Sequence, residues 1–198
     1  MASPENIALL EKLVAALKSR GIVTEEEITR HQEIAERANP EMGARMVARA
    51  WLDPEWRAFL LRDGTAAAAD MGISMCGNPP LGVLANTESL HHLVVCTLCS
   101  CYPRAIIGYP PHWYKSAAYR SRAVREPRAV LAEFGTVLPA GIQVRVVDST
   151  ADYRWMVLPM RPPGTEGWNE AQLTAIVSRD HLVGVSLPSA ALKVSRAA

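Results

Sequence analysis

Three of the chain's four cysteines stand within six positions, at Cys96, Cys99 and Cys101, and these are the residues whose types and spacing could do chemistry. In an extended strand Cys96 and Cys99 would point to opposite faces while Cys99 and Cys101 shared one, so three converging sulfurs require the chain to curl around a point. The same curl brings the backbone amides of Ser100 and Cys101 inward, where they can serve as ligands if a strongly Lewis-acidic metal displaces their protons. Three sulfurs and two amide nitrogens leave one position open on a six-coordinate trivalent ion. An open position can hold and activate a small molecule or water.

Two other chemistries fit part of the pattern. A structural zinc site takes four Cys or His ligands from two separated knuckles, whereas one knuckle supplies all three sulfurs here, and His91 and His92, adjacent on a strand, face opposite ways. A Cys-x-x-Cys redox pair, Cys96 with Cys99, needs a helix N-terminus to lower its thiol pKa, and a preceding strand with Pro103 after it does not set one up. Cys76 lies far from the cluster and reads as an incidental or buried thiol.

The elements that must position this cluster can be read from periodicity. Ser3-Pro4-Glu5 opens a helix on which Ile7, Leu10, Leu13, Val14 and Leu17 recur at helical spacing until Gly21. Thr24 with Glu27 forms a capping-box signature for a second helix ending near Asn39-Pro40; a third carries Met46, Val47 and Trp51 to Leu52, and Asp53-Pro54-Glu55-Trp56 starts another. The first helices cannot bury their apolar stripes alone, so this arm must fold back or lie on a partner. From Gly72 the texture turns to Gly, Pro and β-branched residues, and Leu90 to Leu98 reads as a strand delivering the cysteines at its end. Short helices are expected over Trp113 to Tyr119 and Arg128 to Phe134, broken at Glu126-Pro127. Strands are expected over Gln143 to Val147 and Arg154 to Leu158, joined by a turn through Ser149 to Asp152. A helix capped by Asn169 runs to Ser178, and a last strand lies near Leu182 to Leu187. Helices mixed with strands give an α+β fold, divided at the change of texture into a helical N-terminal arm (1–72) and a body carrying the cysteines (73–198).

The run Val95-Cys96-Thr97-Leu98-Cys99-Ser100-Cys101-Tyr102-Pro103 resembles the metal-binding claw of the α subunit of nitrile hydratases. Flanking matches are Asn86-Thr87, His91-His92-Leu93-Val94-Val95, Pro110-Pro111-His112-Trp113-Tyr114-Lys115 and Tyr119-Arg120-Ser121-Arg122. Others are Val124-Arg125-Glu126-Pro127-Arg128, Glu133-Phe134-Gly135, Val147-Asp148-Ser149 and Arg161-Pro162-Pro163-Gly164-Thr165-Glu166-Gly167-Trp168. The resemblance implies a four-layered α-β-β-α body and hydration of a nitrile to its amide, a hydro-lyase reaction. It also implies a non-corrin metal held by Cys96, Cys99, Ser100 and Cys101. Thr97 and Tyr102 match the Co(III) variant of that family, Fe(III) being the alternative. By the same resemblance Cys96 is the axial thiolate, Cys99 a sulfinate and Cys101 a sulfenate, which makes Cys101 and Ser100 the catalytic candidates. His91, His92, Thr97 and Tyr102 are expected to support the ligands from behind, and Arg104 and Trp113 to line the substrate pocket.

The implied partners are a β subunit, as one chain or split in two, whose arginines hold the oxidised sulfurs, and a metal-delivery activator protein. Alone, the chain is expected to self-associate through its arm. Arg104 departs from the family's usual Trp, and Ala105 from its Pro or Val, whereas the metal-binding subunit of the related thiocyanate hydrolase carries Arg there. Arg suits an anionic or strongly polar substrate better than an apolar nitrile, which points to thiocyanate or to a bulky polar nitrile such as toyocamycin. A metal-storage or regulatory protein using the same claw is the non-enzyme alternative.

Composition bounds these readings. A net charge of +1 offers no attraction for nucleic acid or anionic lipid, and Glu126 among Arg120, Arg122, Arg125 and Arg128 favours salt bridges or a subunit contact over a nucleic-acid patch. No apolar run approaches the ~20 residues of a membrane helix, and the first residues lack the layout of a secretory leader, so the expected location is the cytoplasm.

Overall fold

The computed structural model describes residues 3–37 and 39–191, with the side chains of 34–37 outside the description. The chain falls into two compact units that meet between Arg37 and Ala38. That division separates the first two helices from the rest of the described chain.

The first unit contains α1 (Pro4–Ser19) and α2 (Glu25–Arg37). Ser3 Oγ accepts from the Asn6 N–H, Pro4 occupies the first turn, and Gly21, at φ +66°, turns the chain after α1. Thr24 and Glu27 close the expected capping box: the Glu27 N–H donates to Thr24 Oγ1 and the Thr24 N–H to the Glu27 carboxylate. An ion pair joins Lys18 to Glu25. No residue of α1 is buried, and Ile7, Leu9, Leu10 and Leu13 are all exposed.

The second unit opens with α3 (Pro40–Leu52), α4 (Pro54–Arg62) and α5 (Gly64–Asp70), capped by Asn39, Asp53 and Asp63 side chains that accept from first-turn amides. These helices bury Met46, Val47 and Leu60 completely. The sequence reading did not anticipate α5, whose alanines give no amphipathic stripe.

Among the described residues, four strands follow α5 and form two parallel pairs. β1 (Leu81–Ala85) lies beside β4 (Arg154–Leu158), and β2 (Leu90–Val95) beside β3 (Gln143–Asp148). β1 was not anticipated; its Gly82 faces the Trp155 and Tyr153 rings so closely that a Cβ would fall 2.4 Å from Trp155. The turn expected between β3 and β4 exists, closed by the Thr150 N–H on the Tyr153 carbonyl, but it carries the chain from one sheet to the other and the two strands do not pair. Between β2 and β3 in sequence come α6 (Arg104–Ile107), α7 (His112–Lys115), α8 (Ala117–Arg125) and α9 (Pro127–Glu133), with the break at Glu126-Pro127 where expected. Last are α10 (Glu170–Ala175), capped by Asn169, and α11 (Arg179–Val183).

The strand expected near Leu182 to Leu187 does not form: Leu182 and Val183 end α11, and residues 184–187 leave it as a turn and irregular chain. A short buried apolar run cannot distinguish strand from helix by itself, and local signals decide: the Ser178 N–H donates to His181 Nδ1 at the start, and Gly184, at φ +88°, ends the helix in the left-handed region. A Cβ on Gly184 would sit 2.1 Å from the His92 carbonyl oxygen, so this packing of α11's end against β2 admits only glycine.

Leu93, Val94 and Val95 of β2, Met156, Val157 and Leu158 of β4, and Leu182 are at most 2 % exposed, so both strand pairs reach the core. Because β2 is buried over its last five residues, its end is fixed, and with it the position of the next residue, Cys96.

Candidate metal centre

The strand β2 stops at Val95 and the chain curls at once. Cys96 Sγ lies 3.4 Å from Cys99 Sγ, which lies 3.2 Å from Cys101 Sγ. All three sulfurs sit within 4.8 Å of one another, so Cys96, Cys99 and Cys101 converge as the spacing requires. The Cys99 N–H donates to Cys96 Sγ at 3.2 Å, and the Ser100 and Cys101 amides face the Cys99 sulfur. Cys96 is buried, Cys101 half-buried and Cys99 exposed. One thiol is therefore rooted in the core while the rim opens outward.

The thiols are electrostatically unequal. Hydrogen bonds from Cys101 and then Cys96 pull the Cys99 thiol down to about 7. Burial, then the exchange of hydrogen bonds with Cys99, pushes Cys101 up to about 12, with Arg154 opposing the rise. Three soft sulfur donors with inward-facing amides on one loop form a donor set suited to a thiophilic transition metal, and the absence of a second knuckle disfavours structural zinc.

Several elements hold the loop. From β3, the Asp148 carboxylate accepts from both the Thr97 N–H (3.0 Å) and the Thr97 hydroxyl (2.5 Å). From α8, Arg120 Nη1 donates to the Thr97 carbonyl (3.2 Å) and the Leu98 carbonyl (2.8 Å). From α7, the Tyr114 hydroxyl donates to the Cys101 carbonyl at 2.9 Å. One residue beyond β3, the Ser149 N–H donates to the Val95 carbonyl at 2.7 Å, and the Tyr119 hydroxyl donates to the Val94 carbonyl at 2.7 Å.

The remaining candidates take varied places. His91 and His92 are buried, and their ring nitrogens bond to Asn86 and Gly184, not to the claw. Tyr102 packs edge-on to Tyr114 at 4.8 Å between ring centres, and its buried hydroxyl finds no hydrogen-bond partner among the described residues. Trp113 meets Tyr114, Tyr119 and Phe134 edge-on, a cluster that backs α7 and α8. Arg104 is exposed at the start of α6 with its guanidinium 5.6 Å from the centre of the Tyr109 ring. A separate cleft of about 600 Å³ between α3 and α10, lined by Glu41, Arg45, Glu170 and Thr174 among others, includes no claw residue.

The family model described as nitrile hydratase, alpha chain, matches residues 5–186. The chain belongs to that family. It is 45 % identical over 189 residues to the low-molecular weight cobalt-containing nitrile hydratase subunit alpha of Rhodococcus rhodochrous, covering 95 % of this chain and 91 % of that one. It is 44 % identical over 199 residues to the thiocyanate hydrolase subunit gamma of Thiobacillus thioparus, covering 94 % of this chain and 82 % of that one. Among solved structures, a double mutant of the Fe-type nitrile hydratase from Comamonas testosteroni Ni1 superposes with a TM-score of 0.89 at 40 % identity, covering 100 % of this chain and 97 % of that one. The fold and the claw thus agree with a family that includes cobalt-containing and Fe-type members.

Two residues that grip the claw were not assigned a role from sequence. Asp148 stood only in the matched run Val147-Asp148-Ser149, and Arg120 only in the matched run Tyr119-Arg120-Ser121-Arg122 and in a basic run. That run divides by partner: Arg120 holds the claw, Arg122 pairs with Glu126 (2.6 Å) and bidentately with Glu133, and Arg128 donates to the Leu138 and Pro139 carbonyls. The one advance signal was an acidic side chain ending a strand that runs beside the cysteine strand.

Proposed function

We propose that this chain is the metal-binding α subunit of a cobalt-type nitrile hydratase, acting with a β subunit to add water across a carbon–nitrogen triple bond and release the amide. The observation that carries this reading is the convergence of the Cys96, Cys99 and Cys101 sulfurs at the end of β2, with the Ser100 and Cys101 amides beside the Cys99 sulfur. Cobalt is chosen over iron on Thr97 and on the cobalt-containing relatives. When bound, trivalent cobalt supplies Lewis acidity that polarises a nitrile or lowers the pKa of water.

The chain's own residues do the rest. Cys96 anchors the site to the core as a thiolate. Cys99 as sulfinate would present an inert anionic hydrogen-bond acceptor, and Cys101 as sulfenate would offer a nucleophilic oxygen at the rim of the claw. The Ser100 hydroxyl orients that oxygen. His91, His92, Thr97 and Tyr102 keep the loop's surroundings fixed, while Arg104 and Trp113 stand on the substrate side. The β subunit contributes the cations that hold the oxidised sulfurs, and an activator protein delivers the metal in the cytoplasm.

A second reading rests on Arg104. An exposed guanidinium at the start of α6 offers a bidentate partner to an anion, as in the metal-binding subunit of a thiocyanate hydrolase. A bulky polar nitrile such as toyocamycin fits the same residue within the first reading.

The test is amide formation by the purified chain before and after addition of cobalt and the β partner, with neutral nitriles and thiocyanate as parallel substrates. The chain alone should be silent and should self-associate; the loaded complex should carry about one cobalt per chain and hydrate a nitrile. Thiocyanate hydrolysis with no nitrile hydration selects the second reading. Full activity with iron and no cobalt refutes the metal assignment.

A further inference from the structure

We infer that Asp148 and Arg120 are positioning residues that hold the claw in its metal-binding curl before the ion arrives. The inference rests on the site being a cobalt centre, but it concerns the metal-free loop. Asp148 accepts from the N–H and hydroxyl of Thr97, and Arg120 donates to the carbonyls of Thr97 and Leu98, so the three peptide units after Cys96 are gripped, the first through its N–H and the next two through their carbonyls. Apolar packing does not do this work, because Leu98 is 88 % exposed.

The two gripping groups are themselves fixed. Asp148 ends β3 opposite Val95 in the parallel register, and the next residue, Ser149, donates its N–H to the Val95 carbonyl. Arg120 lies on α8 one residue after Tyr119, whose hydroxyl is bonded to the Val94 carbonyl. Each anchor is therefore tied to the strand that delivers Cys96. A curl of this kind turns the Ser100 and Cys101 amides toward the sulfurs. A free loop would have to order them at the moment of binding, and that entropy would be lost from metal affinity. The clamp also commits the Thr97 hydroxyl to a carboxylate, which removes it from the candidate ligands.

The experiment uses the chain with its β partner, produced without cobalt, as wild type, Asp148→Ala, Asp148→Asn, Arg120→Ala and Thr97→Val. Three quantities are read: cobalt bound at limiting metal, hydrogen exchange at residues 97–101 of the metal-free protein, and turnover per bound cobalt. Asp148→Ala and Arg120→Ala should weaken cobalt uptake about 10- to 100-fold, as loss of hydrogen bonds behind metal ligands does, and should speed exchange across the loop. Turnover per bound cobalt should stay near wild type. Asp148→Asn and Thr97→Val, which keep the fold intact with less perturbation, should fall between.

Normal uptake with unchanged exchange in Asp148→Ala overturns the inference. So does normal uptake with slow turnover, which would make Asp148 part of the reaction instead of the scaffold. If wild type binds cobalt and hydrates no nitrile, the functional reading fails while uptake and exchange still decide the clamp. If wild type binds no cobalt, the cobalt reading fails, and unchanged exchange in the variants removes the clamp as well.

Discussion

The Tyr114 hydroxyl donates to the Cys101 carbonyl across 2.9 Å, tying the last claw residue to a fully buried side chain of α7. Burial pushes the Tyr114 phenol far above its ordinary value, so it stays a donor at any working pH. Tyr114→Phe keeps the ring contacts with Tyr102 and Trp113 and removes one hydrogen bond, which should cost about 1 kcal/mol in chemical denaturation. Tyr114→Ala also empties the ring's site and should cost about 3–5 kcal/mol. Equal losses in the two variants would show that the hydroxyl, not the ring, carries the contribution.

The four cysteines should separate cleanly by chemistry. Cys76 is exposed and apart from the claw, so Cys76→Ser should bind cobalt as wild type does, whereas replacing Cys96, Cys99 or Cys101 by Ala should abolish stable binding. Peptide mass spectrometry of the active complex should find two added oxygens on Cys99, one on Cys101 and none on Cys96. Cys96 is the buried sulfur of the three, which agrees with its remaining a thiolate. A fully active complex with unmodified cysteines would remove the oxidised sulfurs from the mechanism.

Arg104 should control substrate choice without holding up the fold. It is exposed, and its side-chain contact is the Tyr109 ring, so Arg104→Leu should change stability by less than about 0.5 kcal/mol. If a charge-assisted contact binds an anionic or strongly polar substrate, its loss should lower kcat/KM for that substrate roughly 10- to 100-fold. Small neutral nitriles should be turned over as well as before or better. A uniform change across all substrates would place Arg104 outside the pocket.

What could be read in advance follows from what each signal contains. The claw was legible because three sulfurs at that spacing have few geometric solutions, and the caps at Ser3, Thr24 and Asn169 were legible because capping is local. Pairing was not legible. β3 and β4 follow each other through a turn, yet each finds a partner far away in sequence, and only the burial of both strand pairs in one core accounts for that. Leu182 to Leu187 misled because a short apolar run has no period of its own; the αL glycine at Gly184, pressed on the His92 carbonyl, was the deciding feature and carries no hydrophobic signal. Asp148 and Arg120 escaped notice for the same reason, since what they bind lies 51 and 22 to 23 residues away.

The last prediction concerns acid. Asn86 bridges the two buried histidines: its Nδ2 faces His91 Nδ1 at 3.1 Å, and its Oδ1 accepts from the His92 N–H at 2.8 Å and faces His92 Nδ1 at 3.2 Å. An amide that donates to His91 Nδ1 leaves the His91 proton on Nε2, where it meets the Gly184 carbonyl at 2.7 Å, while His92 carries its proton on Nδ1. The network is complete with both rings neutral, and a second proton on His91 would oppose the Asn86 amide donor. Burial is accordingly the first cause that lowers both histidines below the ordinary value of 6.5, assisted at His92 by Arg145. With folded values below unfolded ones, the native state binds fewer protons than the unfolded chain. The stabilisation is full above 6.5 and falls as the pH drops from there toward the folded values. For His91 the loss is at most about 1.4 kcal/mol per pH unit. Denaturation midpoints measured between about pH 7.5 and 5.5 should decline in wild type, and His91→Gln should lower the midpoint at neutral pH yet flatten the decline. An unchanged slope in His91→Gln would move the acid sensitivity to another group.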